Sequence, residues 1–136
     1  MKRLFFRLAL VAAFGLVAQA ASAQTLATIK QRGSLNCGSN GTLAGFGLPD
    51  AQVRWTGLDV DLCKAIAAAM FGDAEKSKFT PTTAQQRFVA LQSGEVDVLS
   101  RNTTWTSSRD AGMGLVFAGV TYYDGIGFQK QLGWIQ

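Results

Sequence analysis

The chain contains no histidine. Serine–histidine–acid triads and histidine-ligated metal centres are therefore outside its chemistry. Cysteine is limited to Cys37 and Cys63, and two thiols without an imidazole make a poor structural zinc site. No Pro-, Gln- or Ser-rich tract and no internal repeat occurs, which excludes low-complexity disorder and solenoids. Charged residues make up 16%, against the usual quarter. Acidic residues are missing altogether from residues 1–23. What remains is 136 residues with 48% hydrophobic content, room for one ordinary domain.

The acid-free front explains much of the bias. Lys2, Arg3 and Arg7 precede an apolar run over residues 8–18, and Ala21-Ser22-Ala23 follows as a small-x-small site. This is the layout of a secretory signal peptide cleaved after Ala23, and the run is too short to span a bilayer. A short N-terminal membrane anchor is the competing reading. The formal charge of +4 falls to +1 once the three leader bases are removed. No basic patch with interleaved aromatics follows, so a nucleic-acid partner is not expected. Export makes Cys37 and Cys63 a disulfide candidate. Two buried free thiols are the alternative, because sequence does not give the distance between them.

Periodicity then divides the mature chain. Residues 25–32 read as a short helix with Leu26 and Ile29 on one face, ended by Gly33. Residues 34–37 read as a strand, and residues 38–56, with four glycines and Pro49, as a loop. The strongest helix covers residues 58–71, where Val60, Cys63, Ile66, Ala67 and Met70 share a face and Gly72 is the stop. A strand is expected over 78–82. A helix capped by Thr83 is expected over 84–93, with Phe88 and Leu91 buried, and a strand over 96–99. Thr106 or Ser107 can cap a short helix through Arg109, and 116–117 and 121–123 read as short extended pieces. Alternating strands and helices with short connections predict an α/β fold with a mostly parallel sheet flanked by helices. Ligands of such sheets bind beyond the carboxyl ends of the strands. Two loops are thereby singled out, 39–46 and 100–109.

The second loop holds Arg101, Asn102, Thr103, Thr104, Trp105, Thr106, Ser107, Ser108 and Arg109. Guanidinium groups grip carboxylates with two parallel N–H bonds, and amides and hydroxyls add donors and acceptors. Such a set suits a small carboxylate or zwitterion. A solvated, helix-capping loop uses the same residue types. The glycine-rich stretch 38–47 lacks the Walker lysine and the dinucleotide spacing. Asp59 and Asp61 open a helix on different sides and are poor acid–base partners.

Four segments carry a family resemblance: WTGLDVDLC (55–63), LQSGEVDVL (91–99), RNTTWT (101–106) and FAGVTYYDG (117–125). In this order they resemble the periplasmic amino-acid-binding proteins of ABC transporters, solute-binding protein family 3, general L-amino-acid subgroup. The resemblance implies a type II periplasmic-binding-protein clamshell. Residues 24–128 are then the N-terminal segment of its first lobe. Residues 129–136 depart from the family's continuation, as in a truncated or frameshifted product. It implies a periplasmic monomer that captures an L-amino acid and delivers it to a permease with its ATPase, without catalysis or cofactor. By position, Arg109 matches the arginine holding the ligand α-carboxylate. Asn102 and Thr104 match carboxylate- and amino-group-binding positions, with Arg101 beside them. Asn40 stands where basic-amino-acid binders carry a side-chain-reading acid. Leu43 and Ala84 stand where those relatives carry stacking aromatics. Asp59 and Gly57 match structural positions. A catalytic relative on the same fold, such as a cyclohexadienyl-type dehydratase, is the alternative. It would need a general acid or base in the cleft. A receptor's ligand-sensing domain is a third reading.

Overall fold

Strand β1 (Leu35–Ser39) is the centre of the fold, with Leu35, Cys37, Gly38 and Ser39 all buried. A strand covered on both faces needs small or apolar residues at successive positions, and LNCGS supplies them. The computed structural model describes residues 20–125. The apolar leader run and the divergent tail lie outside them. Two units divide between Thr103 and Thr104.

In the first unit, helix α1 (Ala20–Arg32) leads into β1. It is already helical upstream of Thr25, as the helix-forming alanines 20, 21 and 23 favour. Gly33 ends it at φ 73°, its N–H bonding the Ile29 carbonyl at 3.0 Å. Ile29 is buried, whereas Leu26, expected on the same face, is 48% exposed. The hairpin β2 (Leu48–Pro49) and β3 (Trp55–Thr56) follows β1. It lies inside the stretch read as loop, since two-residue strands leave no alternation to detect. Helix α2 (Leu58–Phe71) occupies the range expected for it, with Val60, Cys63 and Ala67 buried. A 3₁₀ turn (Ala74–Lys76) leads to β4 (Ser77–Pro81). Helix α3 (Arg87–Gln92) and strand β5 (Val98–Leu99) complete the unit.

The sheet runs β4–β1–β5, all parallel. Helix α3 is shorter than expected because residues 83–86 form a turn in which Thr83 Oγ1 accepts from the Gln86 N–H at 3.2 Å. Its buried residues are Arg87 and Ala90, with Phe88 and Leu91 only half-buried. Strand β5 is also shorter than expected. Upstream of it the Asp97 carboxylate takes the Asn36 N–H at 2.8 Å and the Arg32 guanidinium. The core gathers Ile29, Leu35, Cys37, Cys63 and Ala67, with Ile66, Met70, Phe71, Phe79 and Val98 packed against them. Cys37 and Cys63 are both wholly buried and form a disulfide, with Cα atoms 6.5 Å apart.

Helix α2 starts without a side-chain cap. The first N–H groups are satisfied by the glycine-rich loop instead, Leu58 N–H bonding the Gly45 carbonyl and Asp59 N–H the Phe46 carbonyl. This close approach requires glycine at 57. Its φ is 119°, and a Cβ there would lie 2.4 Å from the Phe46 oxygen. Gly57→Ala should cost about 2–3 kcal/mol, from the unfavourable backbone region together with the clash. Urea unfolding would measure it, and an unchanged midpoint would reject this account.

In the second unit, helix α4 (Ser107–Gly112) is capped by Thr106, whose Oγ1 accepts from the Arg109 N–H at 3.4 Å. The rings of Trp105 and Phe117 stack with centroids 5.2 Å apart. Residues 115–125 form no regular element, so the expected extended pieces at 116–117 and 121–123 are unpaired.

Candidate functional site

Because β4, β1 and β5 are adjacent and parallel, their carboxyl ends lie along one edge. The residues that follow them are Thr82 after β4, Asn40 after β1, and Ser100 to Thr103 after β5. A parallel sheet thus delivers three loops to one place.

The structure joins Asn40, Arg101 and Asn102 in one hydrogen-bonded network. Asn102 Oδ1 accepts from Asn40 Nδ2 at 2.8 Å and from Arg101 Nη2 at 3.1 Å. Asn40 Oδ1 accepts from the Thr42 N–H at 3.1 Å and the Thr42 hydroxyl at 2.6 Å. Arg101 Nη1 donates to the Thr82 carbonyl and reaches Thr82 Oγ1 at 3.4 Å. Thr82, itself buried, donates both its N–H and its hydroxyl to the Ser39 carbonyl at the end of β1. Arg87, only 8% exposed, donates from Nη1 to the Asn102 carbonyl at 3.1 Å. Thr42, Thr82 and Arg87 carry no label in sequence.

Leu43 is half-buried at the start of the tight turn 43–47, its carbonyl accepting from the Phe46 and Gly47 N–H groups. Ala84 is exposed in the turn before α3. Thr104 and Arg109 belong to the second unit, where Arg109 Nη1 donates to the Thr104 carbonyl at 2.7 Å. No group of three or more His, Cys, Asp or Glu residues arranged for a metal ion occurs among the described residues.

Asp59, in the first turn of α2, is only 3% exposed, and its Oδ2 has no hydrogen-bond partner among the described residues. Burial raises its pKa above the ordinary carboxylate value of 3.8, while the Arg101 charge opposes the rise. Burial likewise pulls Arg101 below the usual guanidinium range, and Asp59 opposes that. The raised value favours the neutral acid in the folded state. This stabilisation is full below the unfolded pKa and is lost as pH rises through the folded pKa. Wild type should therefore lose stability relative to Asp59→Asn as pH rises above the ordinary carboxylate value of 3.8. Urea titrations at a series of pH values check it, and a pH-independent difference would sink it.

An α/β unit with parallel strands and polar loops gathered at their carboxyl ends is the first-lobe plan of a periplasmic binding protein. The profile of bacterial extracellular solute-binding proteins, family 3, matches residues 35–124, and the chain belongs to this family. It is 59% identical over 116 residues to the general L-amino acid-binding periplasmic protein AapJ of Rhizobium johnstonii, covering 85% of this chain and 34% of that protein. It is 57% identical over 125 residues to the glutamate/glutamine/aspartate/asparagine-binding protein BztA of Rhodobacter capsulatus, covering 90% of this chain and 37% of that one. Among solved structures, a periplasmic binding protein from Brucella ovis with glutathione bound matches with a TM-score of 0.73 and 59% identity. That match covers 74% of this chain and 32% of the other. The chain spans about a third of the length of the curated relatives it matches.

Proposed function

We propose that the protein is the exported solute-binding component of an ABC importer for L-amino acids, and that it binds its ligand without transforming it. The observation that carries this reading is the network of Asn40, Arg101 and Asn102 beyond the carboxyl ends of parallel strands. Fixed amide donors at a sheet edge suit a ligand rich in carboxylate oxygens. The functions of the relatives named above, AapJ and BztA, point the same way. In this reading Arg109 holds the ligand carboxylate, Asn102 and Thr104 contact its polar groups, and Asn40 and Leu43 meet the side chain. The mature chain starts at Gln24, works as a monomer in the periplasm, and passes the amino acid to a permease and its ATPase. Titration calorimetry of the intact exported protein against glutamate, glutamine, aspartate, asparagine, neutral and basic amino acids tests the reading. Saturable binding of at least one is expected, and none binding would overturn it.

A further inference from the structure

Asn102 and Asn40 face each other through their amides, and each amide has a donor-only neighbour at its far end. A guanidinium has N–H donors and no acceptor. The Asn102 atom 3.1 Å from Arg101 Nη2 is therefore the oxygen. A backbone N–H also only donates, so the Asn40 atom 3.1 Å from the Thr42 nitrogen is its oxygen. The direction of the remaining bond follows, with Asn40 Nδ2 donating to Asn102 Oδ1 at 2.8 Å. Flipping either amide would set N–H against N–H. The orientation is thus dictated by chemistry at both ends of the chain of bonds.

Saturation follows from the same count. An amide oxygen has two lone pairs. Those of Asn102 are taken by Arg101 and Asn40, and those of Asn40 by the N–H and hydroxyl of Thr42. Neither oxygen has acceptor capacity left for a ligand. The Nδ2 of Asn102, on an exposed residue, and the second N–H of Asn40 can only donate. Arg101 is itself anchored through the Thr82 carbonyl and hydroxyl. The Asn102 backbone is held separately by Arg87.

We propose that Arg101 is a positioning residue that locks the Asn102 amide, so that Asn102 and Asn40 together present hydrogen-bond donors alone and select ligand side chains bearing a carboxylate or amide oxygen over those bearing an ammonium or guanidinium. This deepens the amino-acid-binding reading and rests on it. Arg101 does its work through Asn102 and needs no contact with the ligand. A cationic side chain meets two amides with no acceptor to offer it, which leaves the donors it turns towards them unpaired on desolvation.

Calorimetry of the intact protein with glutamate, glutamine, lysine and arginine tests the lock through affinity ratios. Wild type is expected to favour glutamate and glutamine over lysine and arginine by at least about tenfold. Asn102→Asp keeps an oxygen towards Arg101 and Asn40 but turns the presented donor into an acceptor. It should shrink that preference by about tenfold or more. Arg101→Met frees the amide to rotate and should shrink the preference while leaving the protein able to bind. Arg101→Lys, which retains one donor, should restore most of it. A merely structural role for Arg101 would lower all four affinities together and leave the ratios unmoved. Equal wild-type affinities, or ratios unchanged in Asn102→Asp, would overturn the proposal while amino-acid binding itself stands. If Arg101→Met does not fold, Asn102→Asp still decides. Failure of wild type to bind any amino acid would overturn the underlying reading instead.

Discussion

Replacing Cys37 and Cys63 together by alanine is expected to lower the stability of the folded chain by at least about 3.5 kcal/mol. The figure is the chain entropy released when a loop of 26 residues is opened, in the loop-closure account of disulfides. The bridge joins the central strand β1 to helix α2, and both ends are wholly buried. Removing two buried sulfur atoms adds a packing loss to the entropic one. The two contributions separate experimentally. Reducing the wild-type bridge opens the loop but keeps the sulfur volume, whereas the double alanine variant loses both. Urea unfolding of oxidised, reduced and variant protein should therefore give three midpoints in descending order. Coincident curves for oxidised and reduced protein would remove the bridge from the account of stability. Among the described residues the parallel sheet has three strands, one of two residues, and so little core to spare for such a loss.

What could be read from sequence, and what could not, follows from the length over which each signal repeats. Helix α2 repeats its apolar face through Val60, Cys63 and Ala67 and ends at Gly72, so its range was legible. Strand β1 was legible in kind, though it runs two residues further, to Ser39. The hairpin β2–β3 was not, because pairs such as Leu48 with Thr56 and Pro49 with Trp55 occupy two positions per strand. The buried side of α3 was misread. Arg87 is charged and reads as solvent-facing, yet its partner is a backbone carbonyl 15 residues away, which no residue pattern reports. The bond between Cys37 and Cys63 had to stay open for a related reason, since helix α2 must first pack on β1 before the two sulfurs meet. At the candidate site, the residue types of the 101–109 loop suit carboxylate binding and a helix-capping loop alike. Which atoms of Asn40 and Asn102 are presented was not visible, because that depends on Arg101 and Thr42 at either end of the bonded chain.

Arg109→Ala should weaken amino-acid binding by about 2–4 kcal/mol, a loss of roughly 30- to 1000-fold in affinity. Arg109 sits in the first turn of helix α4, half-buried, with its backbone N–H on the Thr106 cap. Its guanidinium bonds the Thr104 carbonyl through Nη1, which holds the side chain alongside the polar loop. One nitrogen used in this way restricts the rotamers, so less freedom is lost when a carboxylate is gripped. In the proposed role, truncation to alanine removes the charge and both parallel donors and would leave the ligand carboxylate desolvated without a counter-charge. Arg109→Lys keeps the charge but not the planar fork, so an intermediate loss is expected. Arg54 provides the control. It is an exposed arginine paired with Asp50 four residues earlier at the tip of the β2–β3 loop, and its removal should change neither binding nor, by more than about 1 kcal/mol, stability. Calorimetry with the tightest-binding amino acid decides between the assignments. Affinity in Arg109→Ala equal to wild type would take Arg109 out of the binding site and leave the carboxylate to the donors of Asn102 and Asn40.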